Sequence, residues 1–185
     1  FSEGPEMSVP RVAPAAVKLD DHRILVIGGA ADFAGRDAHA STEILDTKSM
    51  TFSAGPSMAT RRFGPAAVKL TDGRVLVLGG YNRDPDREEE EEDYDGEVHH
   101  TTEFFDVATN TFSPGPSMQV GRSFTAAVQV DDQLVLVIGG QSAGFERASD
   151  TTEVLDLPTG VFSPGPALLS SCNVAGGGLK KHFPM

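Results

Sequence analysis

Phe52-Ser53-Ala54-Gly55-Pro56-Ser57-Met58 is written into this chain four times with small changes. The other copies are Phe1-Ser2-Glu3-Gly4-Pro5-Glu6-Met7, Phe112-Ser113-Pro114-Gly115-Pro116-Ser117-Met118 and Phe162-Ser163-Pro164-Gly165-Pro166-Ala167-Leu168. Their first residues lie 51, 60 and 50 positions apart. Internal repeats at such a period mean that one supersecondary unit stacks on copies of itself.

Working outward from the signature, other residues recur at fixed offsets. An arginine follows (Arg11, Arg62, Arg122), then an alanine pair (Ala15-Ala16, Ala66-Ala67, Ala126-Ala127), then an apolar run ending in Gly28-Gly29, Gly79-Gly80 or Gly139-Gly140. From the arginine to the first glycine the distance is 17 residues in each copy. After a variable stretch come Thr42-Glu43, Thr102-Glu103 and Thr152-Glu153, and each glutamate precedes the next signature phenylalanine by nine residues. The repeats run from about 1 to 51, 52 to 111 and 112 to 161, with a partial copy over 162–185.

Within a copy the periodicity is that of strands. Pro65 to Leu70 leads into the turn Thr71-Asp72-Gly73, and the aliphatic run Arg74 to Leu78 follows, so the two form a hairpin. Thr102 to Val107 reads as a third strand, and Thr111 to Ser113 as a short fourth, stopped by Pro114-Gly115-Pro116. Each copy is a four-stranded antiparallel meander. Four short strands cannot cover both faces of their own sheet, so the copies must stack, and radial stacking gives a propeller. Paired alanines then belong to the innermost strand, where space is least. The apolar second strand is sandwiched between neighbours, and its closing glycines serve positive φ or the close approach of the next blade. A phosphate-cradling role for Gly-Gly is disfavoured, because no helix N-terminus follows.

These residues resemble the kelch repeats of β-propellers, whose motif is an apolar strand ending in Gly-Gly, then an aromatic, then a tryptophan after six intervening residues. Leu45, Phe105 and Leu155 stand at the aromatic position, and Phe52, Phe112 and Phe162 at the tryptophan position. The spacing matches; the tryptophan and most tyrosines are replaced. With the Phe-Ser-x-Gly-Pro ending, the chain is similar to the divergent kelch repeats of galactose oxidase-type central domains, from Phe1 to about Ala175. The resemblance implies an all-β kelch-type β-propeller fold and constrains function weakly. Propellers close with 4 to 8 blades, whereas three full copies and two partial ones predict an incomplete arc. An open arc exposes blade faces and sheet edges, and self-association to complete the propeller is expected.

Function is then expected in loops. Connections of a meander alternate between two faces, so the loop joining strands two and three shares a face with the link from strand four to the next strand one. Kelch propellers that recruit peptides use this combination, so the resemblance implies a noncatalytic protein-interaction module, an adaptor or scaffold, with a protein or peptide partner. The candidate partner-binding residues are Arg11, Arg61, Arg62 and Arg122 in the links, and Tyr81, Asn82, Glu88, Glu89 and Glu90 in the loop of the second copy. Arginine there can pair bidentately with a partner's carboxylates. Alternatively, the recurrent arginine braces the blades through backbone carbonyls or Glu43, Glu103 and Glu153.

The second copy alone carries an insertion. Residues 84–97 hold ten acidic and one basic side chain, −9 of the formal −12, leaving −3 for the rest. Such a block is self-repelling and solvated, or a docking segment for a basic partner. It lacks the spacing of a calcium loop, and the acidity argues against nucleic acid. With 39% hydrophobic residues and no apolar run near the roughly 18 residues of a membrane span, no membrane partner is expected. The lone Cys172 makes no intrachain disulfide and leans toward a reducing compartment such as the cytoplasm. The alternative is that the arc is part of an enzyme such as a copper radical oxidase or sugar isomerase. Two tyrosines, Tyr81 and Tyr94, and scattered His22, His39 and His182 supply no assignable catalytic set or cofactor site.

Overall fold

The computed structural model describes residues 4–33, 35–83, 96–142 and 148–168. The expected meanders are present as three four-stranded antiparallel sheets. The first blade contains β1 (Ala15–Lys18), β2 (Arg23–Ile27), β3 (Thr42–Asp46) and β4 (Thr51–Ala54), paired in that order. The second opens with β5 (Ala66–Lys69) and β6 (Val75–Leu78). After them, β7 (Tyr81–Asn82) and β8 (Glu97–Val98) form a two-stranded ribbon at the base of the acidic insertion. The second sheet is then completed by β9 (Thr102–Asp106) and β10 (Thr111–Pro114). The third blade is β11 (Ala126–Gln129), β12 (Leu134–Ile138), β13 (Thr152–Asp156) and β14 (Val161–Pro164).

Local chemistry sets the turns. Asp20 Oδ1 accepts hydrogen bonds from the His22 and Arg23 amides, each 2.9 Å, and the bond from His22 is the main reason its pKa falls to about 2. Asp131 repeats the arrangement with Gln133 and Leu134. At the turn between strands three and four, Asp46, Asp106 and Asp156 accept from amides two or three residues on, as Asx turns do. The last residue of that turn has positive φ: 55° at Met50, 57° at Asn110 and 67° at Gly160.

The register explains the sequence motif. Leu45 pairs with Phe52, Phe105 with Phe112 and Leu155 with Phe162, so the aromatic and tryptophan positions of the kelch pattern are cross-strand neighbours. Phe105 and Phe112 have ring centroids 5.0 Å apart. The signature therefore closes a sheet, and the link that follows crosses to the next one.

Strand two is apolar from Ile24 onward in the first blade and throughout β6 and β12, because its two faces meet different blades. Leu25 and Ile27 of the first blade pack forward, with Leu19 and Met58, against Val75, Val77 and Phe105 of the second. Leu76 and Leu78 of the second pack forward, with Leu70 and Met118, against Val135, Val137, Leu155 and Phe162 of the third. The core thus includes two inter-blade layers built from equivalent residues, and a further cluster around Phe63 and Tyr81 lies beneath the loops. The innermost strands converge as the paired alanines predict, with β5 against both β1 and β11.

Gly-Gly serves both roles expected of it. All six glycines have positive φ, between 61° and 95°. A Cβ on Gly28 would stand 2.4 Å from the Arg62 carbonyl oxygen, and one on Gly79 would stand 2.1 Å from that of Arg122. These separations leave no room for a side chain, so the pair is where the next blade's backbone docks.

Candidate functional site

The links from strand four to strand one and the loops between strands two and three lie on one face, and the recurrent arginines tie them together. Arg11 Nε donates to Glu43 Oε1 at 3.0 Å, and its Nη1 reaches the carbonyls of Gly28 (2.8 Å) and Ser41 (3.0 Å). Arg62 reaches Glu103 Oε1 from both Nε (3.3 Å) and Nη2 (3.1 Å), and its Nη1 donates to the carbonyls of Gly79 (2.6 Å) and Thr101 (3.0 Å). Arg122 repeats it with Glu153 (3.1 Å), Gly139 (2.8 Å) and Thr151 (3.0 Å). The hydroxyls of Ser41, Thr101 and Thr151 accept from the remaining Nη2. The second carboxylate oxygen of each glutamate takes an amide of the link: Ser8 at 2.7 Å, Ala59 at 2.7 Å, Gln119 at 2.6 Å.

These charges are buried, with side-chain exposures of 1%, 0% and 1% for the arginines. A buried ion pair is tolerated when its donors and lone pairs are filled, as they are here. For Glu43, burial alone would raise the pKa, but hydrogen bonds from Ser8 and Arg11 outweigh it and hold the carboxyl below its usual value. Burial pulls Arg62 down, Glu103 opposes the shift, and the guanidinium stays charged. Of the two roles sequence allows these arginines, the geometry is that of the brace: Arg11, Arg62 and Arg122 spend their donors inside the chain. Their carbonyls complete the joint, since the Gly29 amide donates to Arg62 O (2.9 Å) and the Gly80 amide to Arg122 O (2.8 Å). Arg62 and Arg122 thus each hold their own blade by the side chain and the preceding blade by the backbone.

Arg61 is placed differently. It is exposed, and its Nη1 lies 3.4 Å from the Ala38 carbonyl in the loop of the first blade. Its own carbonyl meets His99 Nε2 at 3.0 Å, and His39 Nε2 meets the Pro10 carbonyl at 3.2 Å. Sequence reading counts His39 among scattered histidines, yet His39 and His99 both stand four residues before a clamp glutamate, with Ser149 third. That constant offset was the available signal. Burial, aided by the Arg62 charge and opposed by Glu97, holds His99 below the usual imidazole value, so it is neutral at pH 7.

Tyr81, expected in the binding loop, is instead 1% exposed. It packs with Ala30, Ala38 and Phe63 beneath the loop face, because β7 turns its ring toward the neighbouring blade. Asn82 is half-buried on the same ribbon, and its Oδ1 has no hydrogen-bond partner among the described residues. Glu88, Glu89 and Glu90, like residues 84–95 as a whole and Cys172, lie outside the described residues. Phe33, which sequence reading passes over, stands 88% exposed in the loop between β2 and β3. Among the described residues, no three His, Cys, Asp or Glu side chains gather as a cation site would need.

No protein-family model matches the chain. Two F-box/kelch-repeat proteins of Arabidopsis thaliana are similar to it. One is 35% identical over 79 residues, 43% of this chain and 18% of that protein. The other is 38% identical over 98 residues, 53% of this chain and 20% of that protein. The chain thus spans about a fifth of the length of these curated relatives. Among solved structures, YjhT matches with a TM-score of 0.71 at 16% identity, over 87% of this chain and 53% of that one. The three sheets, the clamp spacing and these likenesses agree: the chain is a partial array of kelch-type repeats, all-β, in four-stranded antiparallel blades.

Proposed function

We propose that this arc is a noncatalytic protein-interaction module, an adaptor or scaffold, which takes a protein or peptide partner on the loop face. Support comes from the separation of roles between neighbouring residues. The clamp arginines are consumed by the frame, whereas Phe33 and Arg61 project from loops that the frame holds in place. An exposed aromatic and an exposed arginine on one face are the composition of an interface anchor. The Arg61–Ala38 hydrogen bond and the His99–Arg61 contact join the loops of two blades into one surface, so the anchors sit on a rigid support rather than on independent loops. The kelch repeats of the F-box/kelch-repeat relatives favour the same class of partner. Glu88, Glu89 and Glu90 lie in the sequence between β7 and β8, and their charge would steer a basic partner.

The test is selection of binding peptides from a random display library, followed by titration against Phe33→Ala, Arg61→Ala and a chain lacking residues 84–95. Loss of an anchor costs about 2 kcal/mol, or roughly 30-fold in affinity. Loss of the insertion flattens the salt dependence for basic peptides. Peptides that bind all three variants as tightly as the parent chain overturn the assignment of this face.

A further inference from the structure

All three blades share one backbone bridge beneath the loop face, and only the second puts aromatic rings on it. The residue after Gly-Gly pairs with the residue after the clamp arginine: Ala30 with Val12, Tyr81 with Phe63, Gln141 with Ser123. In the second blade the Phe63 amide donates to the Tyr81 carbonyl and the Tyr81 amide to the Phe63 carbonyl, each at 2.8 Å. Alanine with valine, and glutamine with serine, make the same exchange at 2.8 to 3.1 Å. The frame therefore does not call for the rings of Phe63 and Tyr81.

Those rings form a seat for the loop between β2 and β3 of the first blade. That loop is buried at Ala30, Gly35 and Ala38 and exposed at Asp32, Phe33, Arg36 and Asp37. Gly35 has φ 71°, and a Cβ there would stand 2.8 Å from Phe63 Cδ1 and 2.9 Å from Tyr81 Cδ1, so only glycine can rest on the rings this closely. Ala30 and Ala38 belong to the same cluster. At the opposite edge of the Tyr81 ring lies Gly96, whose Cβ would fall 1.9 Å from Cε2. Tyr81 is thus a spacer held between two loops. Phe63 is supported in turn from the third blade, edge to face with Phe124 at 5.2 Å between centroids. Phe33 stands on the seated loop, in a turn closed by hydrogen bonds from the Gly35 amide to Asp32 O and from the Arg36 amide to Asp32 Oδ1, each 3.3 Å.

We infer that Phe63 and Tyr81 are positioning residues for the loop face: they hold the exposed ring of Phe33 in place before a partner arrives. An anchor ordered in advance gains affinity because the loop pays no ordering cost at binding. Tyr81, which sequence places among the partner contacts, then acts on the partner through Phe33 without touching it. The inference rests on the loop face being the binding face, yet the hold on Phe33 is measurable with no partner present.

The chain contains no tryptophan, so Phe33→Trp supplies a single fluorescent reporter in the full chain. Acrylamide should quench it as it does an exposed indole, while its anisotropy decays with the tumbling of the whole chain. Tyr81→Ala in that background should add a faster, nanosecond component, and Tyr81→Phe should not, because the seat is made by ring carbons. Thermal melts check that each variant folds; should Tyr81→Ala fail to, Gly35→Ala, which keeps both rings and displaces the loop, takes its place. A nanosecond component already present before the seat is altered overturns the inference, and so does an unchanged decay in the altered chain. Peptides selected on the parent chain then separate this inference from the assignment of the face. Phe33→Ala should weaken them roughly 30-fold and Tyr81→Ala about tenfold, with the double variant no weaker than Phe33→Ala alone. Additive losses overturn the positioning role and leave the binding face standing. Peptides indifferent to both Phe33→Ala and Arg61→Ala overturn the face, and the anchor role with it.

Discussion

The second blade and the third are built from the same residues and live in different surroundings. In the second, Val75 to Leu78 are all fully buried; in the third, burial alternates along Leu134 to Ile138. Nothing in the strands themselves accounts for this, since both are aliphatic throughout. Burial in a stacked array belongs to the joint between blades rather than to the blade, and stability divides into intrinsic and nearest-neighbour terms.

The sharpest way to break the comparison is at the clamp, which the two blades share. Glu103→Ala leaves Arg62 buried and unpaired, and a loss of about 3–5 kcal/mol is expected by urea unfolding, with a similar loss for Glu153→Ala. A loss under about 1 kcal/mol for either would show that the clamp does not hold its blade. Next in size is the forward face. Leu76→Ala removes a fully buried side chain and should cost about 2–5 kcal/mol, whereas Leu136→Ala should cost less than half as much in the monomeric arc. Equal costs would mean that burial does not set the difference between the two blades.

A third difference is His99, whose counterpart in the third blade is Ser149. Because burial holds its folded pKa below the ordinary 6.5, the unfolded chain takes up the proton first. The stability it confers is complete above that value and is lost as pH falls through the folded pKa. His99→Ser should flatten the stability profile on the acid side of 6.5; an unchanged profile rejects the assignment. The smallest effect is expected at the outer turn. Met50 holds φ at 55°, where the third blade uses Gly160, so Met50→Gly should relieve the strain and leave the arc equally or up to about 1 kcal/mol more stable, read as a small rise in Tm.

What sequence made legible was what the frame forces to recur. The 17-residue spacing from arginine to glycine is a hydrogen bond in every copy, Arg11 to Gly28, Arg62 to Gly79 and Arg122 to Gly139. The nine residues from glutamate to phenylalanine are the β-hairpin of strands three and four, and the glycine of the signature abuts the threonine hydroxyl, 2.3 Å from where its Cβ would stand. Residues with one occurrence were harder. Tyr81 reads as a loop residue because its place follows Gly-Gly, and its backbone pairing with Val98 and with Phe63 turns it inward. Phe33 carries no periodic signal at all, as expected of a side chain whose surroundings the frame does not dictate.

The double attachment of Arg62 and Arg122, guanidinium in one blade and carbonyl in the blade before, bears on how such a chain can change length over generations. Because the joint has the same donor and acceptor positions each time, duplication or loss of one whole repeat leaves every remaining joint chemically intact. A gain or loss of part of a repeat would separate an arginine from its glutamate and strand a buried charge. The genetic unit that can be copied without penalty is therefore the full span from one arginine to the next, and such an array can lengthen or shorten by whole blades while the joints stay fixed.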